Sequence, residues 1–314
     1  MRMQNLWIWP VLLLAVTACS TGGLWFALMP QVPPVLRAGW RLLITSVLQL
    51  PMFLVNLQQS ELGWGEYYDL LLEMIASGLA LGAHFAAWSI SLTLTSLSHS
   101  LLFVCTTPLL LVGYQATGYA LCVFSNPPTW VESIGACIGV VAAGVLANEA
   151  GGGDGKGDHT VSLAGDFTAL LGAAAMGIYL SLGAKVRQQV LLWMYVFPVT
   201  LVAGVVCVVG SWAFEPGSLE HSLLGANQQQ DFYLAFGAAF TAGILGHTLA
   251  NLALGYVSPL VVSVLLLSEP LIGSLLGYWA GVQSPPSPTT IACGVPLMLA
   301  AALVTVGNFP KGQE

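Results

Sequence analysis

The stretch SVLLLSEPLIGSLLGYWAG (263–281) decides the fold. Nineteen residues are enough to cross a bilayer core as a helix, which takes roughly 20. Yet Glu269 and Pro270 sit in its middle. A carboxylate at the bilayer centre costs about 2.5–3.5 kcal/mol on insertion scales, so it must face protein or a cavity. In a helix Glu269, Gly273, Gly277 and Gly281 recur every four residues and share one face. Glycines at that spacing let a second helix approach closely, so the ridge predicts packing as well as placing the carboxylate.

The rest of the chain fits a membrane setting. Of 314 residues, 56% are hydrophobic and 7% are charged, and the mean hydropathy is +0.82. A soluble surface needs about 25% charged residues. Seven Lys and Arg in all exclude a basic surface for nucleic acid, and the net charge of −7 says little about partners. The six cysteines lie in or beside apolar runs, without metal-ligand spacing, and read as small packing residues. No metal site and no cofactor is expected. The opening VTAC (16–19) mimics a lipoprotein cleavage box, but the apolar run continues to Met29, so a retained first span is expected.

Hydropathy predicts ten spans, near 6–29, 34–57, 70–92, 95–118, 130–147, 166–185, 190–214, 232–254, 258–281 and 289–306. The glycine-rich linker NEAGGGDGKGDHTVSLAGD separates two sets of five. The halves are 6–148 and 166–309, with 149–165 between them. Five is odd, so homologous halves would be inverted, as in many secondary transporters. His84 and His247 fall at matching places in the two halves, as do Pro108 and Pro270. Pro51 and Pro198 also interrupt corresponding spans. Arg2, Lys185, Arg187 and Lys311 share one side, against Lys156 and, near a span edge, Arg37. That asymmetry predicts both termini in the cytoplasm. A plasma or bacterial inner membrane is expected rather than an organelle.

PPVLRAGWRLLITSVLQLP, AHFAAW, TTPLLL, GDFTALLGAAAMGIYL and GHTLANLALGYVSPLVVSVLLLSEPLIGSLLGY occur in an order and spacing that resemble EamA-type members of the drug/metabolite transporter superfamily. The resemblance covers nearly the whole chain. It implies a ten-helix carrier that moves small metabolites by alternating access. Its third, fourth, eighth and ninth helices, with the first and sixth, would line the cavity. The acidic turn frequent in that family after the fourth and ninth helices is replaced here by FSNPP and AGVQSPP.

The polar residues inside spans are the candidate site. His84 and Trp88 share one helical face, as do His247 and Asn251. Histidine donates and accepts hydrogen bonds and titrates near neutrality, so both histidines suit a substrate cavity and His247 also suits proton coupling. Tyr179 and Trp25 could stack on an apolar substrate, and ordinary packing explains them equally well. Glu269 is either a coupling group or a structural acid. Pro108 and Pro270 are the expected hinges. Arg41 is expected to snorkel to the interface or hold an ion pair, and Asp166 to cap the sixth span. Gly273, Gly277 and Gly281 are expected to pack helices, within the chain or in a homodimer.

Other classes fit less well. An intramembrane aspartyl protease needs two carboxylates that share a proton. The matching fragments, YD at 68–69 and GGGD at 151–154, place one acid in a hydrophilic linker. A channel would need a lined pore, and no filter-like signature occurs. The sequence therefore reads as an all-α integral membrane protein and not an enzyme. The expectation is a carrier that exports a small organic solute, with the bilayer and that solute as its partners. Proton coupling through Glu269 or a histidine is the bolder expectation.

Overall fold

The computed structural model describes residues 6–60, 63–121, 127–150, 162–221, 224, 229–257, 259–282, 285 and 288–307. Arg2, Lys156, Lys311, Asp154 and most of the linker lie outside them, so the charge asymmetry and the protease pair are not fully placed. The described residues are helical, with no strand among them. Seven helices are long and apolar enough to cross a membrane: Ile8–Ala27, Pro34–Gln59, Trp64–Leu94, His99–Ala120, Leu163–Val186, Leu192–Phe214 and Gln229–Ala253.

In chain order the helices are α1 Ile8–Cys19, α2 Gly22–Ala27, α3 Pro34–Gln59, α4 Trp64–Leu94, α5 Leu97–Val104, α6 Thr107–Ala120 and α7 Trp130–Ala150. Then come α8 Leu163–Val186, α9 Leu192–Phe214, α10 Gln229–Ala238, a π-helical segment Ala239–Thr248, and α11 Leu249–Ala253. The chain continues through α12 Pro259–Leu266 and α13 Glu269–Trp279 to α14 Pro288–Gly307.

The starts follow local chemistry, in which a side-chain oxygen accepts from an orphan N–H. Ser96 Oγ caps α5 through His99 N at 3.2 Å. Ser162 Oγ caps α8 through Gly165 N at 3.0 Å. Thr129 and Glu132 form a reciprocal capping box at α7. α3 is capped from a distance. Its first helical residue, Pro34, has no N–H to satisfy. Glu215 accepts from Val35 N at 2.9 Å and from Leu36 N at 3.2 Å. Arg37 N already bonds to Pro33 O, so the orphan donors of this end are all satisfied. The Arg37 side chain closes the end of α2, donating to the carbonyls of Phe26 at 2.9 Å and Met29 at 3.3 Å.

Small residues set the closest crossings, because they let backbones approach. A Cβ at Gly39 of α3 would lie 2.6 Å from Val208, and one at Gly204 of α9 would lie 2.8 Å from Leu43. On the far flank α7 and α14 line an apolar groove that includes Val141, Val145 and Pro296. Val141, Val145, Val295 and Leu299 are exposed, as expected of residues facing lipid.

Prolines act in two ways. α3 and α9 run unbroken through Pro51 and Pro198, so the expected interruptions there do not occur. Pro108 and Pro270 do stand at breaks. Each is the second residue of the helix that follows, α6 or α13, where the missing N–H costs nothing. The π segment packs against α3, where Thr45 Oγ1 donates to Arg41 O at 2.8 Å and also lies 3.3 Å from Ala239 O. Thr248 Oγ1 bonds to Gly243 O, five residues back. Such wide turns concentrate at functional sites.

Candidate functional site

The two breaks meet. Cys105, between α5 and α6, donates through Sγ to Leu266 O at the end of α12, 3.4 Å away. The residue before each proline then opens its helix into one cavity. Thr107 and Glu269 both line it, with Arg41 of α3, His84 and Trp88 of α4, and His247 of the π segment. The cavity is about 30 Å³. That is room for a water or two and too small for an organic solute. A second cavity of about 10 Å³ adjoins it and shares Arg41, Phe85 and His247. Gln49, Tyr179 and Asn251 line this second one.

Arg41 is the main correction. It neither snorkels nor pairs. It is 2% exposed and lines both cavities. It lies over the Phe85 ring, with the guanidinium carbon 4.4 Å from the centroid, a cation–π contact. Its Nε has no hydrogen-bond partner, and neither salt bridge found among the described residues involves it. The sequence signal was present: an arginine about two turns inside a span must face inward unless it reaches a headgroup.

The other polar groups are fixed by neighbours. His84 Nδ1 lies 2.9 Å from the Gly172 carbonyl. A carbonyl can only accept, so Nδ1 carries the proton of the neutral ring. The His84 and Trp88 rings stack nearly parallel at 6.5 Å. Trp88 Nε1 is buried without a partner. Asn251 Nδ2 donates to His247 O at 2.7 Å and to Tyr179 Oη, which leaves Asn251 Oδ1 unpartnered. Gln49 Nε2 donates to Thr248 Oγ1 at 2.9 Å, and Gln49 Oε1 is unpartnered too. Cys105 Sγ, whose proton is directed to Leu266 O, lies 4.0 Å from the Glu269 carboxyl group.

Three expected roles go elsewhere. Trp25 bonds through Nε1 to Thr241 Oγ1 at 2.8 Å, on the outer side of the π segment, and lines neither cavity. Asp166 does not cap α8, because Ser162 does. Asp166 lies in the first turn of α8, buried, accepting from Thr95 Oγ1 at 3.1 Å with His99 Nδ1 3.5 Å away. The glycine ridge is also split. Gly273 packs inside the chain, where a Cβ would lie 2.9 Å from Leu101 and 3.2 Å from Ser20 O. Gly277 is buried. Gly281 ends α13 at φ +73°, the left-handed conformation that glycine adopts at helix ends. No group of three or more His, Cys, Asp or Glu among the described residues could hold a metal ion.

No family model matches the chain, and no curated protein matches it. Solved structures do. One, described as "Crystal structure of protein", superposes with a TM-score of 0.67 over 96% of this chain and 98% of its own, at 17% identity. At that identity the likeness shows a shared fold and nothing of what is bound.

Proposed function

We propose that this chain is a secondary active carrier of the EamA type, within the drug/metabolite transporter superfamily. It exports a small organic solute by alternating access. In this reading ten helices cross the membrane as two inverted repeats, 6–148 and 166–309, joined by a polar linker, with both termini in the cytoplasm. One observation carries the reading. Two spans break before a proline, and both breaks deliver their pre-proline residue, Thr107 or Glu269, to one small cavity inside the apolar bundle. Paired discontinuous helices around a central site suit rocking of one half against the other. A cavity of about 30 Å³ suits an occluded state, which must open to admit a solute. Pro108 and Pro270 are the hinges of that movement.

The test needs no known solute. Ser263 lines the cavity. Ser263→Cys, in a background without native cysteines, is exposed to a membrane-impermeant thiol reagent from each face in turn. A carrier is labelled from both faces, and a crosslink that closes one mouth raises labelling from the other. A channel is labelled from both with no such exchange. A protein that is labelled from neither face does not carry solutes through this cavity.

A further inference from the structure

The carrier reading leaves the solute open, and the unpartnered atoms around the cavity narrow it. This inference rests on that reading. In the larger cavity the buried side-chain atoms without partners are Arg41 Nε and Trp88 Nε1, and both are donors. Arg41 and Trp88 are 2% and 3% exposed, so only what enters the cavity can satisfy them. A buried unmade hydrogen bond is costly, and a buried guanidinium without a bonded anion more so. The half-helices α6 and α13 also begin at this cavity, and their N-termini add partial positive charge. What is missing is an anionic acceptor. A guanidinium takes a carboxylate with two parallel hydrogen bonds. Phosphate-bearing solutes usually need several cationic clamps, and Arg41 is the one Lys or Arg lining either cavity.

We propose that the cavity is a carboxylate site, in which Arg41 and the Trp88 indole N–H bind a small organic acid anion, with Glu269 as the second carboxylate lining the same cavity. Phe85 and Trp88 form the apolar wall for the body of the solute. The unpartnered Gln49 Oε1 and Asn251 Oδ1 in the adjoining cavity favour solutes with a donor group at the other end. Their orientation is fixed. Thr248 gives its own proton to Gly243 O and so must accept from Gln49, and Asn251 must donate to the His247 carbonyl.

Charge then couples the solute to a proton. The groups facing Glu269 are Arg41 from α3, His84 from α4, His247 from the π segment, Cys19 from α1 and Cys105 at the α5–α6 break. α5 contributes His99, which lies 3.5 Å from Asp166, α2 contributes no titratable group, and α14 offers only Cys293, packed with Leu102 and Ala142. With the cavity empty, one carboxylate and one guanidinium balance. When a second carboxylate enters, one negative charge is left over inside the apolar bundle, and a proton taken up by Glu269 removes it. Solute anion and proton therefore bind together and cross in the same direction, so export runs down the outward gradient of the solute.

The probes are benzoate, benzamide and benzylamine, added to the purified full-length protein in nanodiscs, with binding read by calorimetry. Benzoate is expected to bind with uptake of about one proton, while benzamide and benzylamine do not bind. Arg41→Gln is expected to weaken benzoate at least tenfold. Trp88→Phe, which keeps the ring and removes the N–H, weakens it severalfold. Glu269→Gln binds benzoate without proton uptake. Absence of benzoate binding by the wild type overturns the carboxylate assignment, as does equal binding of benzamide. Proton uptake that persists in Glu269→Gln overturns the coupling role of Glu269. Binding of benzylamine alone overturns the solute class but leaves the carrier reading intact, since that reading falls only with the Ser263→Cys labelling.

Discussion

Removing the Glu215 carboxylate is expected to loosen the start of α3 and, through it, Arg41. The magnitude follows from the accounting at that helix end. Two backbone donors, Val35 N and Leu36 N, depend on this one side chain. A hydrogen bond to a charged group contributes about 1.5–3 kcal/mol when buried, and loss of an N-cap costs about 0.5–2 kcal/mol. Glu215 is partly exposed, so water replaces part of what is lost. We expect about 2 kcal/mol for Glu215→Ala and about half of that for Glu215→Gln, which keeps one acceptor oxygen. A local opening made easier by about 2 kcal/mol exchanges amide hydrogens roughly 30-fold faster. Hydrogen exchange read on a peptide covering 36–42 should show this in the Ala variant, with a smaller change in Gln and none at the far end of α3. Arg41 lies about two turns from Pro34, so benzoate binding should weaken in parallel. Exchange within about threefold of wild type in Glu215→Ala would mean that the distant carboxylate does not hold this helix end, and the argument from orphan donors would fail.

Four further substitutions probe packing and charge. Gly165→Ala places a Cβ 2.9 Å from both Leu94 C and Thr95 N, backbone atoms that cannot swing aside. It should destabilise by about 1–3 kcal/mol in thermal melts. Gly113→Ala has nothing within 4 Å of the new Cβ. It should be neutral or gain up to about 1 kcal/mol. Gly281→Ala forces a side chain into a left-handed helix end and should lower the melting temperature without any steric contact. The Lys185–Glu73 pair is 2.7 Å long, but the Lys185 side chain is 63% exposed. Lys185→Met should therefore change stability by less than about 0.5 kcal/mol. A larger loss that persists in high salt would show that the pair is not a solvated one.

Sequence alone determined that this chain is helical and belongs in a membrane, because apolar length and scarce charge do not depend on which helices are neighbours. It also marked Pro108 and Pro270, since a proline removes a backbone donor wherever it stands. It brought His84, Trp88, His247, Asn251, Tyr179 and Glu269 forward as the polar residues of apolar runs, and the structure places these around two adjoining cavities. Only the tertiary structure decided which way each side chain faces. Hydropathy fixes how long a helix is, but its rotation about its own axis is set by the partners packed against it. Arg41 thus turned inward on α3, where Gly39 and Gly204 bring α9 close behind it. Trp25 was taken by Thr241, and Asp166 by Thr95 and His99. The π segment was equally illegible, since it packs against Thr45 of another helix, far away in the chain. A one-dimensional pattern holds the price of burying a charge, and the folded neighbours alone determine which charge is buried and against what.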